Sequence, residues 1–302
     1  MVAEHRHRPV LALLIRLGAV AALSTMSMLI KLADGHGVAF LEILFWRQFI
    51  SVPLLLAWAM ANGGTGTLRT NRPWIHARRA VYGMIGMVLN FGGVILLPLA
   101  EATTFSFTAS IWAVILSVLL LHEKVGRYRW AAVLAGFAGV LIIAQPGSEH
   151  FPLYGAAVAL GGAFMVALIS IEVADLGRTD RPHTIVFWFA AISTPVLALA
   201  MPFVASAHDT EGWLLLLAIG AFGTIGQLGL TTALRFGAVS SVIVMDYSML
   251  FWATIYGWLI WDWLPPASTW IGAPLIVGAG MVIAWREHQL VRAHRLRAAA
   301  SS

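Results

Sequence analysis

From Pro9 onward the chain divides into apolar runs of similar length, each closed by a short polar breaker. About 20 apolar residues in helix span the hydrocarbon core of a bilayer. Lipid offers no partner to an unpaired backbone group, so such runs must be helices or strands of a closed barrel. At this length helix is the reading, and ten spans follow: about 10–32, 38–61, 74–97, 100–121, 128–146, 153–175, 183–204, 212–234, 237–260 and 266–285. Asp34-Gly35-His36-Gly37, Asn62-Gly63-Gly64, Gln145-Pro146-Gly147-Ser148 and Pro265-Pro266 supply breaks between them. Composition agrees. The 302 residues are 60% hydrophobic and 11% charged, where soluble domains run at about 25% charged. The expected fold class is all-α integral membrane.

Several classes fall away at once. His5-Arg6-His7-Arg8 followed by an apolar run resembles a signal peptide, but the run outlasts the usual h-region of about 7–15 residues and reads as a first span. With no cysteine, disulfides, thiolate nucleophiles and Cys-ligated metals are excluded. The net charge of +5 sits in short loops, not in a basic patch interleaved with aromatics, so nucleic acid is not a partner. No His-Glu-x-x-His pattern and no nucleotide-binding loop occur. Neither an enzyme, a metal nor a cofactor is expected.

Charge orients the spans, because short loops rich in Lys and Arg stay cytoplasmic. With the N-terminus inside, the cytoplasmic segments hold Arg69, Arg72, Arg78, Arg79, Lys124, Arg127, Arg129, Arg178, Arg181, Arg235 and Arg286, besides the basic ends. The outer loops hold acids: Asp34, Glu149, Asp209, Glu211 and Asp262. Both termini are predicted cytoplasmic.

Two distant stretches spell nearly the same thing. Phe45-Trp46-Arg47-Gln48-Phe49-Ile50-Ser51-Val52-Pro53 is answered by Phe187-Trp188-Phe189-Ala190-Ala191-Ile192-Ser193-Thr194-Pro195. Leu17-Gly18 is answered by Leu160-Gly161, and Gly83-Met84-Ile85-Gly86 by Gly223-Thr224-Ile225-Gly226. Trp130 and Gly139 are answered by Trp270 and Gly280. The chain therefore divides into repeats at 1–146 and 152–286, with a basic tail at 287–302. Each repeat has an odd number of spans, so the second enters the membrane from the opposite face. Inverted repeats are a common transporter architecture.

The stretch Ala102-Thr103-Thr104, then Leu121-His122-Glu123-Lys124, then Trp130 through Gly139-Val140-Leu141-Ile142 resembles the drug/metabolite transporter superfamily, EamA-type. His122 stands where that family often has Gly, and Trp261-Asp262-Trp263 in the second copy lacks the Glu-Arg pair. The chain is most similar to bacterial exporters of aromatic amino acids. The resemblance implies ten helices in two inverted repeats and a small-molecule substrate.

Ionisable groups within spans are functional candidates. Lys31 and Glu42 flank the first turn and are expected to pair, as a structural bridge or an outer gate. Arg47 lies near the middle of the second span, as an anchor or an attractor of a carboxylate. Asp246, beside Tyr247, lies near the middle of the ninth span and suits proton coupling, binding of a substrate ammonium, or an internal hydrogen bond. Glu101 reads as a wet loop acid. Tyr82, Gly86, Asn90 and Gly93 share one face of the third helix; Gly220, Thr224, Gln227 and Thr231 share one face of the eighth. Those faces, with Trp112, are expected to form a mid-membrane chamber. The glycines on them have a plainer reading as packing sites. Pro53 and Pro195 are matched kinks for gating.

These residues point to a secondary transporter in a bacterial inner membrane. It would export amino acids, aromatic ones favoured, or similar metabolites by alternating access, driven by the substrate gradient or by protons. Uptake of another metabolite, or a structural membrane role, is the alternative.

Overall fold

The computed structural model describes residues 9–121, 126–144, 152–177, 179–236 and 244–300. The His122-Glu123-Lys124 loop, the Gln145–Ser148 breaker and the first part of the expected ninth span lie outside the described residues.

Among the described residues the chain is helical throughout. The helices are α1 (Pro9–Gly35), α2 (Phe40–Ala61), α3 (Pro73–Leu96), α4 (Leu99–Ser106), α5 (Ala109–Leu121) and α6 (Arg127–Ala144). They continue as α7 (Leu153–Leu176), α8 (Pro182–Ala198), the one-turn α9 (Met201–Val204), α10 (Thr210–Phe236), α11 (Ser248–Trp261) and α12 (Ala267–Ala300). Among the described residues, seven stretches are long and apolar enough to cross a membrane, and two shorter apolar helices, Trp130–Ala144 and Pro182–Ala198, accompany them.

Local chemistry sets the boundaries. Proline opens α3 and α8, where its missing N–H has no intrahelical partner to lose. Gly37, at φ +80°, makes the turn between α1 and α2, and Gly63 and Gly64 release the chain from α2 with positive φ. Asp262 closes α11 in the left-handed conformation.

The most extensive contacts join α1 to α10, α3 to α7 and α6 to α12. Glycine makes each one close. A Cβ added at Gly226 would meet Leu23, and one at Gly229 would meet Ala19. A Cβ at Gly162 would lie 2.9 Å from the backbone of Asn90, and one at Gly139 would lie 2.7 Å from the Gly272 carbonyl. Such approaches drive helix association in lipid, where apolar burial between helices gains little.

Each of these pairs runs antiparallel. Going up α1 from Ala19 to Met26, the contacts on α10 fall from Gly229 to Gly223. Going up α3 from Gly86 to Gly93, those on α7 fall from Ile169 to Ala159. Gln48 meets Ser193, while Trp58, further along α2, meets His183, nearer the start of α8. Large apolar side chains cover the outside: Phe203, Leu199, Trp74, Leu134 and Leu259 are all mostly exposed, as a surface facing acyl chains requires.

Candidate functional site

Four helices, α2, α3, α8 and α10, enclose a cavity of about 40 Å³. Arg47, Gln48 and Ser51 line it from α2 and Arg79 from α3. Val186, Phe189 and Ala190 come from α8, and Gly223, Thr224 and Gln227 from α10. Sites for whole metabolites measure about 300 Å³ or more, so this one takes waters or a small polar group unless the helices part.

Two arginines dominate it. Arg47 is buried, with 7% of its surface exposed. Its Nη1 donates to Gln48 Oε1 at 2.8 Å, and its other near neighbours are soft: Met26 Sδ, Met87 Sδ and the Phe91 ring at 5.2 Å. The Arg79 guanidinium lies 4.1 Å over the ring of Phe189. Its Nε and Nη1 are buried and have no hydrogen-bond partner among the described residues. Among the described residues, no carboxylate lines the cavity. A ring face offsets part of a cation's desolvation, worth about 2 kcal/mol when dry, against several kcal/mol for burying an ion.

The neutral groups are tied to the helices that carry them. Ser51 donates to the Arg47 carbonyl, and its hydroxyl meets that of Thr224 at 2.8 Å. Ser193 donates to the Phe189 carbonyl and accepts from Gln48 Nε2 at 3.2 Å. Both serines bond back one turn, two residues before the interior prolines Pro53 and Pro195. Back-bonding serine and interior proline each loosen and bend a helix.

Polar ties gather at the predicted inner end of the bundle. Arg72 pairs with Asp175 at 2.5 Å and Arg78 with Glu172 at 2.8 Å, joining α3 to α7. His76 and Thr70 both bond Asp180 Oδ2, at 2.7 and 2.8 Å. Trp188 Nε1 donates to the Leu68 carbonyl at 2.9 Å. Arg79, tallied from sequence with the cytoplasmic loop cations, is instead inside the bundle. Acids were not foreseen at this end, yet Glu172, Asp175 and Asp180 stand there.

The expected Lys31–Glu42 bridge does not form. Lys31 Nζ donates to the carbonyls of Val94, Ile95 and Leu97, at 3.0, 3.2 and 2.6 Å. It thereby caps the C-terminal end of α3, where carbonyls lack helical partners and a cation is favoured. Glu42 bonds His208 Nε2 at 2.8 Å instead, and both side chains are buried. Glu101 is no wet loop acid: it is 1% exposed and accepts from Thr269.

Asp246 is also placed differently. It belongs to a 3₁₀ turn, Val244–Tyr247, ahead of α11. Arg16 grips it with Nε at 2.6 Å and Nη2 at 2.5 Å, a bidentate pair between α1 and that turn. Arg16 sits in the first half of α1, so Asp246 lies nearer the predicted inner end than the mid-plane. Tyr247 packs edge-on against Phe107, its hydroxyl in the space above Gly280. Trp112 is wedged between Phe137 and Phe164, its indole N–H without a partner among the described residues. On α3, Gly86, Asn90 and Gly93 face α7, and Tyr82 is half-buried. Of the residues singled out from sequence, the cavity gathers Arg47, Thr224 and Gln227; Tyr82, Asn90, Trp112, Asp246 and Tyr247 do not line it. The side chain of Thr231 lies outside the described residues.

Sequence reading missed Arg79 and Arg16. Arg79 stands four residues before Gly83 and seven before Gly86, on the face that packs inward, while adjacent Arg78 points elsewhere. That phase was the available signal.

A bundle of antiparallel apolar helices around a buried polar cavity defines a polytopic membrane protein of the carrier type. The EamA-like transporter family matches this chain twice, over residues 10–145 and 153–285. The chain belongs to that family. It is 30% identical to a riboflavin transporter of Vibrio cholerae, covering 90% of this chain and 92% of that protein. It is 32% identical to the pseudopaline exporter of Pseudomonas aeruginosa, covering 85% and 89%. An S-adenosylmethionine uptake transporter of Rickettsia felis is 28% identical, covering 82% and 83%. A solved crystal structure superposes with a TM-score of 0.65 at 23% identity, covering 94% of this chain and 99% of that one, and so shares the fold.

Proposed function

We propose that this protein is a secondary transporter of small organic metabolites, crossing a bacterial inner membrane ten times as two inverted five-helix repeats with both termini inside. Its repeats correspond to 1–146 and 152–286, with a basic tail after them. The antiparallel pairing of α1 with α10, α3 with α7, α2 with α8 and α6 with α12 supports the inversion, since each equivalent helix then runs in the opposite sense. The absence of basic residues from the outer loops supports the orientation.

One observation carries the reading. The polar cavity is built from equivalent helices of both repeats, α2 with α8 and α3 with α10. Rocking one repeat against the other therefore opens it first to one face and then to the other. The Arg72–Asp175 and Arg78–Glu172 pairs would close the inner side, and the serine–proline segments of α2 and α8 would bend. Amino acids, aromatic ones first, are the proposed cargo, and export the proposed direction. The relatives' substrates widen the candidates to riboflavin and S-adenosylmethionine.

Flux into proteoliposomes containing the purified chain tests this. Labelled tryptophan, phenylalanine, riboflavin and S-adenosylmethionine form the panel. At least one should exchange faster than in protein-free vesicles. No flux with any of them would overturn the reading.

A further inference from the structure

We infer that Arg47 and Arg79 form an anion subsite, built to receive the carboxylate or phosphate of the transported molecule. The inference deepens the proposed function and rests on the cavity lying along the substrate route.

The argument is one of charge balance. Buried cations in a membrane bundle are ordinarily paired or hydrogen-bonded. Every other buried or half-buried cation discussed above obeys: Arg16 holds Asp246, Arg72 holds Asp175, and Lys31 caps three carbonyls. Arg47 and Arg79 break the pattern together, in one cavity. Arg47 has a single oxygen partner among the described residues, the neutral Gln48 amide. Arg79 keeps two buried donors without a partner among the described residues. Acids on and near the surrounding helices are committed elsewhere: Glu42 to His208, Glu211 to His36, Glu172 to Arg78, Asp175 to Arg72 and Asp180 to His76.

What is missing is an acceptor bearing negative charge. A guanidinium presents a planar fork matched to carboxylate and phosphate oxygens. Ser51, Thr224 and Gln227 add neutral polar atoms beside it. Phe189, already stacked on Arg79, borders the same space with an apolar face. The site thus fits an organic anion whose charged head meets the arginines while a flat apolar part lies toward Phe189. About 40 Å³ accommodates that head and not the rest. The body must lie where the helices separate.

Three probes of one shape test the inference on the purified full chain: phenylacetate, phenyl phosphate and neutral phenylacetamide, at equal ionic strength. Thermal melting reads binding. One or both acids should raise Tm saturably and the amide should not; which acid does so tells carboxylate from phosphate. Arg79→Gln and Arg47→Gln should each weaken the response about 30-fold or more. Either variant could fail to fold, so Gln48→Glu provides a second arm. It places a carboxylate beside Arg47, and should raise the Tm of the ligand-free protein and abolish the response to the acids. Equal response to acid and amide, or a Gln48→Glu protein with lowered Tm and intact acid response, would overturn the subsite. Flux that persists without any preference for anions overturns the subsite alone. Acid binding without flux of any panel compound overturns the transport reading alone.

Discussion

Arg47 and Phe189 occupy equivalent positions in the two repeats, and their surroundings match closely. Phe189 lies against Gly83 of α3, and Arg47 lies against Gly223 of α10, the counterpart of Gly83. Each residue's carbonyl accepts from a serine one turn on, Ser51 or Ser193. Each serine reaches across to the other repeat, to Thr224 or to Gln48. The backbone geometry is thus common to both halves, while the charge belongs to one. The proposed inverted duplication would supply such a shared frame. Substitution at a single equivalent pair gives the cavity its chemistry, with Arg47 on one side and, on the other, the aromatic face that Arg79 stacks on.

Equalising the halves tests that division. Phe189→Arg should have the largest effect. It places a third cation beside Arg79 and removes the ring that shelters it, at a cost of several kcal/mol, read as loss of monodisperse protein after extraction. Asp246→Asn comes next. It strands Arg16, and with Asp246 about a third exposed the loss should be roughly 2 kcal/mol. Arg16→Met combined with Asp246→Leu should recover part of it in thermal melts. The same Asn variant tests proton coupling, since flux should lose its pH dependence if Asp246 carries the proton; unchanged pH dependence removes it from that role.

Smaller effects probe the matched glycines. A Cβ at Gly83 would lie 2.5 Å from the Phe189 ring, while one at Gly223 would lie 2.8 Å from the flexible Met26 thioether. Gly83→Ala should therefore cost about 1–3 kcal/mol and Gly223→Ala less than about 1. Equal melting shifts would contradict that difference between the halves. Smallest are Ser51→Ala and Ser193→Ala, each expected to lower stability by about 1 kcal/mol and to do so alike.

Much of the frame was legible in the sequence. Run lengths mark helices, and the proposed duplication rests on matched Trp, Pro and paired Gly, residues that recur by chance far less often than Leu. The site was legible only in part. Arg47 stood out because it interrupts an apolar run. Arg79 did not, because it sits beside Arg78 in a stretch that also reads as a basic loop, and only helix phase separates the two. Depth alone pairs Lys31 with Glu42 in the sequence. Depth says nothing of direction, and Lys31 points to the open carbonyls ending α3 while Glu42 points to His208. On the third-helix stripe, Gly86 and Gly93 admit α7 closely, as the packing reading of those glycines expects, while Tyr82 and Asn90 do not line the cavity.

Alternating exposure of the α2–α3–α8–α10 cavity is the claim on which the mechanism turns, and a cysteine at Gln227 measures it directly. The chain has no native cysteine, so every label reports that position. In sealed vesicles, a membrane-impermeant thiol reagent should reach Gln227→Cys from either face, while cysteines at lipid-facing Leu134 or Leu259 stay unreactive. Labelling from one face only, or from neither, would contradict a cavity that opens to both sides of the membrane.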